Sequence, residues 1–223
     1  MTNPLQHNYF VRRAWCIVAL GTLWSCGGKQ SAQQPTPVPT APLPTAGLSG
    51  QRVALMPLVL VAAEDTLHWD ALMADRRATL DKSDSIIATF LTARAPEVSW
   101  ASASEVRRVA RRAAGIAADP DQMGTPFLRA ENIVEVPDPL RYQLRTLMGL
   151  VGGRYVLVPA GLVFHQPPNR PFAQPPIAVA ELSVVLIDTR VGRVGWRTTA
   201  RGEGTDPWTA LTRAVKSLTP GLP

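Results

Sequence analysis

The chain has 223 residues, 46% of them hydrophobic and 18% charged, with 23 basic side chains against 17 acidic ones. Only Lys29, Lys82 and Lys216 are lysine; so much arginine beside abundant alanine and proline reflects a GC-rich genome more than a polyanion, and no nucleic-acid partner is expected. Two cysteines (Cys16, Cys26) and three histidines (His7, His68, His165) show no metal-ligand spacing with Asp or Glu, so neither a metal nor a cofactor is expected.

Residues 1–25 read as a secretory leader: Arg12 and Arg13, then the apolar run Ala14 to Trp24, then the small residue Ser25. The run has 11 residues, whereas a membrane span needs about 20. An uncleaved anchor helix and an ordinary cleaved signal are the alternatives. Leu23-Trp24-Ser25-Cys26 resembles the lipobox of bacterial lipoproteins. That resemblance implies cleavage between Ser25 and Cys26, diacylglycerol on the Cys26 sulfur, and a further acyl chain such as palmitate on the new N-terminus. Two or more chains hold a protein firmly at a membrane, while one holds it only marginally. Gly27 stands where aspartate retains many lipoproteins at the inner membrane. The resemblance therefore implies an outer-membrane anchor with the domain in the periplasm. Cys16 would leave with the leader, so neither a disulfide nor a free thiol nucleophile is expected.

Residues 26–51 are expected to be the lipidated cysteine and a disordered tether. The stretch 27–50 has five prolines, no acid and no apolar period, too little apolar surface to offset its ordering entropy. A fully extended Pro-rich tether of this length reaches about 70 Å. It serves either to cross periplasmic space or as a generic spacer.

A single domain is expected over 52–218, with 219–223 a tail. Arg52 to Val61 reads as a doubly buried strand, bent or at an edge because of Pro57. In 62–81, Trp69, Leu72 and Met73 suggest a short helical piece. Lys82 to Arg94 reads as a helix capped by Asp81 and stopped before Pro96. A strand at Glu97 to Trp100 precedes a capping box, Ser102 to Glu105, and a second helix ending near Gly115. Residues 116–137 read as a loop. Asp138-Pro139 opens a helix with the stripe Leu140, Leu144, Leu147, Met148 and Val151, stopped by Gly152-Gly153. Strands follow at Arg154 to Phe164, Ile177 to Asp188 and Arg193 to Arg201, with a proline-rich loop at 165–176. A last helix runs from Asp206-Pro207 to about Leu218. The order βαβααβββα predicts an α/β (α+β) fold, one mixed sheet flanked by about four helices. Val53, Leu55, Val156, Val158, Val184, Leu186 and Trp196 are expected to share one core, covered by Phe90, Leu144 and Leu147.

Three patterns resemble a group of envelope proteins: Val53-Ala54-Leu55-Met56-Pro57, the helix end and strand from Leu150 to Val158, and the turn from Asp188 to Trp196 ahead of a Pro207 helix. The group comprises CsgG-like lipoproteins, LpoB-type activators of penicillin-binding proteins and the N-terminal domain of TolB. The likeness covers about 52–218 and implies a periplasmic domain of that fold. A pore of the CsgG kind needs long alternating membrane hairpins, and the five prolines of 165–176 preclude such a strand there.

Catalytic motifs are sparse. Gly202-Glu203-Gly204-Thr205-Asp206-Pro207 is an imperfect phosphate loop, with proline for the third glycine and two acids that would repel phosphate; it reads as a turn and cap. The acidic pairs Glu64-Asp65 and Asp81/Asp84 have no evident base, and Asp188 reads as fixing its own turn. Arg107, Arg108, Arg111 and Arg112 form a possible anion-binding face, able to grip lipid phosphate or an acidic partner, or simply a solvated helix face. The expected function is a non-enzymatic interaction or envelope-assembly module, held to the membrane by its lipid and working with another envelope protein. The alternatives are a periplasmic hydrolase around Glu64, Asp65, Asp188 or His165, and a subunit of an export complex.

Overall fold

The computed structural model describes residues 40–167 and 177–220. The leader, Ser25, Cys26 and most of the 165–176 loop lie outside them. The fold is mixed α/β: one open six-stranded sheet with six helices. In chain order these are α1 (Thr45–Leu48), β1 (Arg52–Leu55), β2 (Val61–Ala63), α2 (Asp70–Met73), α3 (Arg76–Arg94), β3 (Ser99–Ala101), α4 (Ala103–Arg112), α5 (Leu140–Val151), β4 (Tyr155–His165), β5 (Ala178–Asp188), β6 (Arg193–Gly204) and α6 (Pro207–Ser217). The strands run β3-β1-β4-β5-β6, with β2 also on β4; β1 and β2 are parallel to β4, and β4, β5 and β6 are antiparallel.

The expected strand from Arg52 to Val61 is two strands. Pro57 has no N–H to give a ladder, and the chain leaves β4 after Met56, whose N–H donates to Leu157 O at 2.9 Å. It returns where Leu60 O accepts from Leu162 N. The excursion turns the Leu58 N–H inward, and the side chain of Asp84 accepts it at 2.8 Å. An orphaned buried N–H is costly, so this bond ties α3 to the break.

The single core expected from the sequence is two cores, one on each sheet face. Val53, Leu55, Val184 and Leu186 face α3 and α6, with Trp196 and Phe90 packed alongside. Val156, Val158, Leu144 and Leu147 lie on the other face, under α4 and α5. Alternation along a strand makes this unavoidable for a sheet covered on both sides. β4 changes phase partway: Val156, Val158 and Ala160 face one core, and Leu162 and Phe164 the other. A bulge between Pro159 and Gly161 inserts the extra residue that flips them.

Helix ends follow their local chemistry. Ser102 caps α4 by accepting from Glu105 N, and Asp206 caps α6 by accepting from Trp208 and Thr209 N. Gly152, at φ +83°, ends α5 in the left-handed conformation that glycine adopts without strain. Helix α3 begins at Arg76, six residues before the expected start at Lys82, because Asp75 rather than Asp81 caps it, accepting from Ala78 N at 2.9 Å. Its buried face carries Thr79, Ser83 and Asp84 among Leu80, Ile87 and Leu91, and those polar groups hide the early turns from a hydrophobic pattern.

The domain also starts earlier than residue 52. Leu43 and Leu48 are 5% and 2% exposed and belong to the α3/α6 core. Leu43 N donates to Leu218 O at 2.8 Å, and Gly50 N to Glu97 O at 2.8 Å. Residues 40–50, expected as tether, are thus folded. Two leucines dispersed among Pro, Thr and Gly make no period, yet they fill gaps that the helices leave. The same segment helps cover the outer edge of β6: Ala41 N donates to Thr198 Oγ1. Val134 and Val136, from the expected loop, continue that cover by pairing with Val194 and Gly192, which blunts an otherwise open edge.

Candidate functional site

Arg107 is not on an anion-binding face. Helix α4 buries Ala103, Val106, Arg107 and Ala110, so position 107 falls on the packed stripe. The residue is 8% exposed, and its guanidinium reaches back to α3 and the 120–122 turn. It donates to Asp84 Oδ2 at 2.8 Å and to Asp121 Oδ1 at 2.7 Å, with Asp81 at 3.4 Å. The acidic pair Asp81/Asp84 that lacked a base in the sequence finds this arginine in the fold.

Burial pushes the Asp84 carboxyl up to about 6, against the Leu58 N–H and the Arg107 charge, which favour its ionised form. Burial also works against the Arg107 charge, but the bonds and charges of Asp121 and Asp84 outweigh it and hold the guanidinium protonated. Asp121 feels burial too, yet Arg107 and Arg77 bring its carboxyl below the ordinary range. The cluster is a structural joint between α3, α4 and the break between β1 and β2. Arg108, Arg111 and Arg112 remain exposed, as the helix face predicts.

The hydrolase candidates do not form one site, because Asp188 lies at the opposite end of the sheet from Glu64, Asp65 and His165. Tyr155 pairs with Asp188 at one end of the β4–β5 ladder, and His165 pairs with Val179 at the other. Asp188 is bonded by Arg154 and accepts from Arg190 N at 3.0 Å, so it fixes its turn. The Arg154 bond lowers its carboxyl below the usual range. Glu64 accepts from Gln166 N at 2.9 Å, and Asp65 opens a single 3-10 turn. His165 Nε2 stands 3.5 Å from Glu181, which also accepts from Arg201 at 2.6 Å. Among the described residues no group of His, Cys, Asp or Glu is placed to hold a metal ion.

The surface feature that the sequence did not reveal lies at the Asp188 end of the sheet. A groove of about 490 Å³ is lined by Arg52, Arg145, Arg154 and Arg190, with Gly149, Gly152 and Gly153 along its side. A second hollow of about 460 Å³ shares Arg145, Thr189 and Arg190 with it and adds Arg141, Tyr142 and Val191. Three arginines here are compensated. Arg52 bonds Glu105 at 2.6 Å and the last turn of α5 through Val151 O at 3.0 Å. Arg154 bonds Asp188, and Arg141 bonds Asp138 at 2.8 Å. For Arg145 and Arg190 no side-chain hydrogen bond or ion pair is found among the described residues, and both are exposed. Exposed Tyr142, Arg145 and Gly149 recur at helical spacing on α5, the one sequence signal that could have marked this face.

Fold and site together define a three-layer α/β domain with an arginine-lined groove at one sheet end. No protein-family model matches the chain, and no curated protein is significantly similar to it. Among solved structures it is similar to the LpoB C-terminal domain from Salmonella enterica, at 10% identity and a TM-score of 0.33, over 71% of this chain and 84% of that one. It is also similar to the PelC dodecamer from Paraburkholderia phytofirmans, at 15% identity and a TM-score of 0.35, over 82% and 96%. A third is lipoprotein GNA1162 from Neisseria meningitidis, at 13% identity and a TM-score of 0.29, over 69% and 81%. No activity follows from likenesses this distant.

Proposed function

We propose that the chain is a bacterial lipoprotein, cleaved between Ser25 and Cys26, acylated on Cys26 and anchored in the outer membrane. Its α/β domain acts in the periplasm as a non-enzymatic module that binds another envelope component. The anchor rests on Leu23-Trp24-Ser25-Cys26 behind a charged, short apolar leader. The observation that carries the non-enzymatic role is the groove. Its uncompensated groups, Arg145 and Arg190, are guanidiniums, fixed charges that bind carboxylate or phosphate and do not exchange protons near neutral pH. The domain occupies about 40–218, with residues upstream as its link to the lipid.

Metabolic labelling with a fatty acid tests the anchor. Label should enter the native chain and not Cys26→Ser, which should also leave the membrane fraction or remain unprocessed. Density-gradient separation should place the native chain with outer-membrane markers. Co-migration with inner-membrane markers would refute the outer-membrane placement.

A further inference from the structure

We propose that the two hollows at the Asp188 end of the sheet form one docking groove for an extended, acidic segment of a partner protein, one with carboxylates and a neighbouring apolar side chain. The inference rests on the binding-module reading above and names the chemistry of its partner.

The hollows adjoin, with Arg145, Thr189 and Arg190 lining both. Together they follow α5 along its exposed side and cross the β5–β6 turn, a path that suits an extended chain better than a single small anion. Arg145 and Arg190 stand where the hollows meet, and neither guanidinium is neutralised among the described residues. A guanidinium offers paired donors in a plane, the geometry that a carboxylate accepts in bidentate fashion. Beside the Arg141–Asp138 pair, the outer hollow offers two exposed side chains with apolar surface, Tyr142 at 69% and Val191 at 58%. Arginine and tyrosine are the residue types that anchor protein interfaces. A lipid headgroup or free phosphate would use the arginines but not this apolar shoulder. The groove side at Gly149 is open, since a Cβ there meets nothing within 4 Å. Gly149 also lies within α5, where the backbone accepts side chains other than proline's.

The test uses the purified full-length chain in detergent and a fluorescent peptide of alternating glutamates and leucines, with its glutamine analogue as control. The native chain should bind the glutamate peptide and not the glutamine one, and salt should weaken binding, as for exposed charges. Arg145→Glu with Arg190→Glu should weaken binding by about tenfold or more, through loss of charge-assisted bonds. Gly149→Trp, which leaves every arginine in place, should weaken it comparably by filling the groove. Arg108→Glu with Arg111→Glu should leave it unchanged. The proposal is overturned if the groove variants bind as the native chain does. It is also overturned if inorganic phosphate or glycerol phosphate competes as effectively as unlabelled peptide, which would make the groove a phosphate or headgroup site. Circular dichroism of each variant separates lost binding from lost fold. Acylation plays no part in this readout, so failure here leaves the lipoprotein reading standing, and failure of the labelling experiment leaves the groove result standing.

Discussion

Replacing Arg107 by methionine keeps most of the buried apolar bulk of the side chain and removes the charge together with its N–H donors. Asp84, its side chain 7% exposed, would keep the Leu58 N–H and lose its cation. Removing one member of a buried ion pair costs about 3–5 kcal/mol, a large share of the 5–15 kcal/mol that typically holds a domain together. The cost should depend on pH. In the native fold Asp84 titrates at about 6, against about 3.9 for an unfolded aspartate. The folded state therefore holds this proton more tightly, so the Asp84 contribution makes stability rise as pH falls from about 7 toward 4. Without Arg107 the Asp84 pKa moves higher still, and the ionised form becomes costlier to bury. Chemical denaturation should show Arg107→Met destabilising by about 3–5 kcal/mol at pH 7.5 and by about half that or less at pH 5, where Asp84 is mostly protonated. Adding Asp84→Asn, which retains an acceptor for Leu58 N–H, should recover much of the loss at pH 7.5. An equal loss at both pH values, or no recovery in the double variant, would refute the account of this joint.

Other consequences can be checked on the same material. Asp84→Asn alone should flatten the pH dependence of the thermal midpoint between pH 4.5 and 7, because the carboxyls of Asp121, Asp188 and Asp206 are lowered and lose their contributions only in stronger acid. Leu48→Ala should cost about 2–5 kcal/mol by leaving a cavity, as should Leu186→Ala; a neutral Leu48→Ala would return the domain start to residue 52. Gly202→Val should disrupt the packing of α6 on β6, since a Cβ at Gly202 would stand 2.2 Å from Ala214 N, and hydrogen exchange in α6 should rise sharply.

The elements that were legible in the sequence are those whose burial is apolar and regular. Helix α5, with Leu140, Leu144, Leu147 and Val151 ahead of a left-handed Gly152, appears where the pattern puts it, as do the long strands β4, β5 and β6. The differences arise where burial is polar or aperiodic. Arg107, Asp84, Ser83 and Thr79 are buried because they satisfy one another and a displaced strand, and no hydropathy pattern marks such residues as core. Leu43 and Leu48 are single apolar residues that join a core built from segments far along the chain, and Leu43 N bonds Leu218 O from the other end of the domain. The phase change in β4 is a property of one inserted residue. The groove was illegible for a related reason: Arg52, Arg145 and Arg190 come from three separate elements, and only the fold shows which arginines are already paired.

The most direct test of the account is mass spectrometry of the N-terminal peptide of the chain extracted from membranes. The account predicts a chain that begins at Cys26, with diacylglycerol on the sulfur and an acyl group on the α-amine. A chain that retains residues upstream of Cys26, or one that begins there with a free thiol, would contradict it.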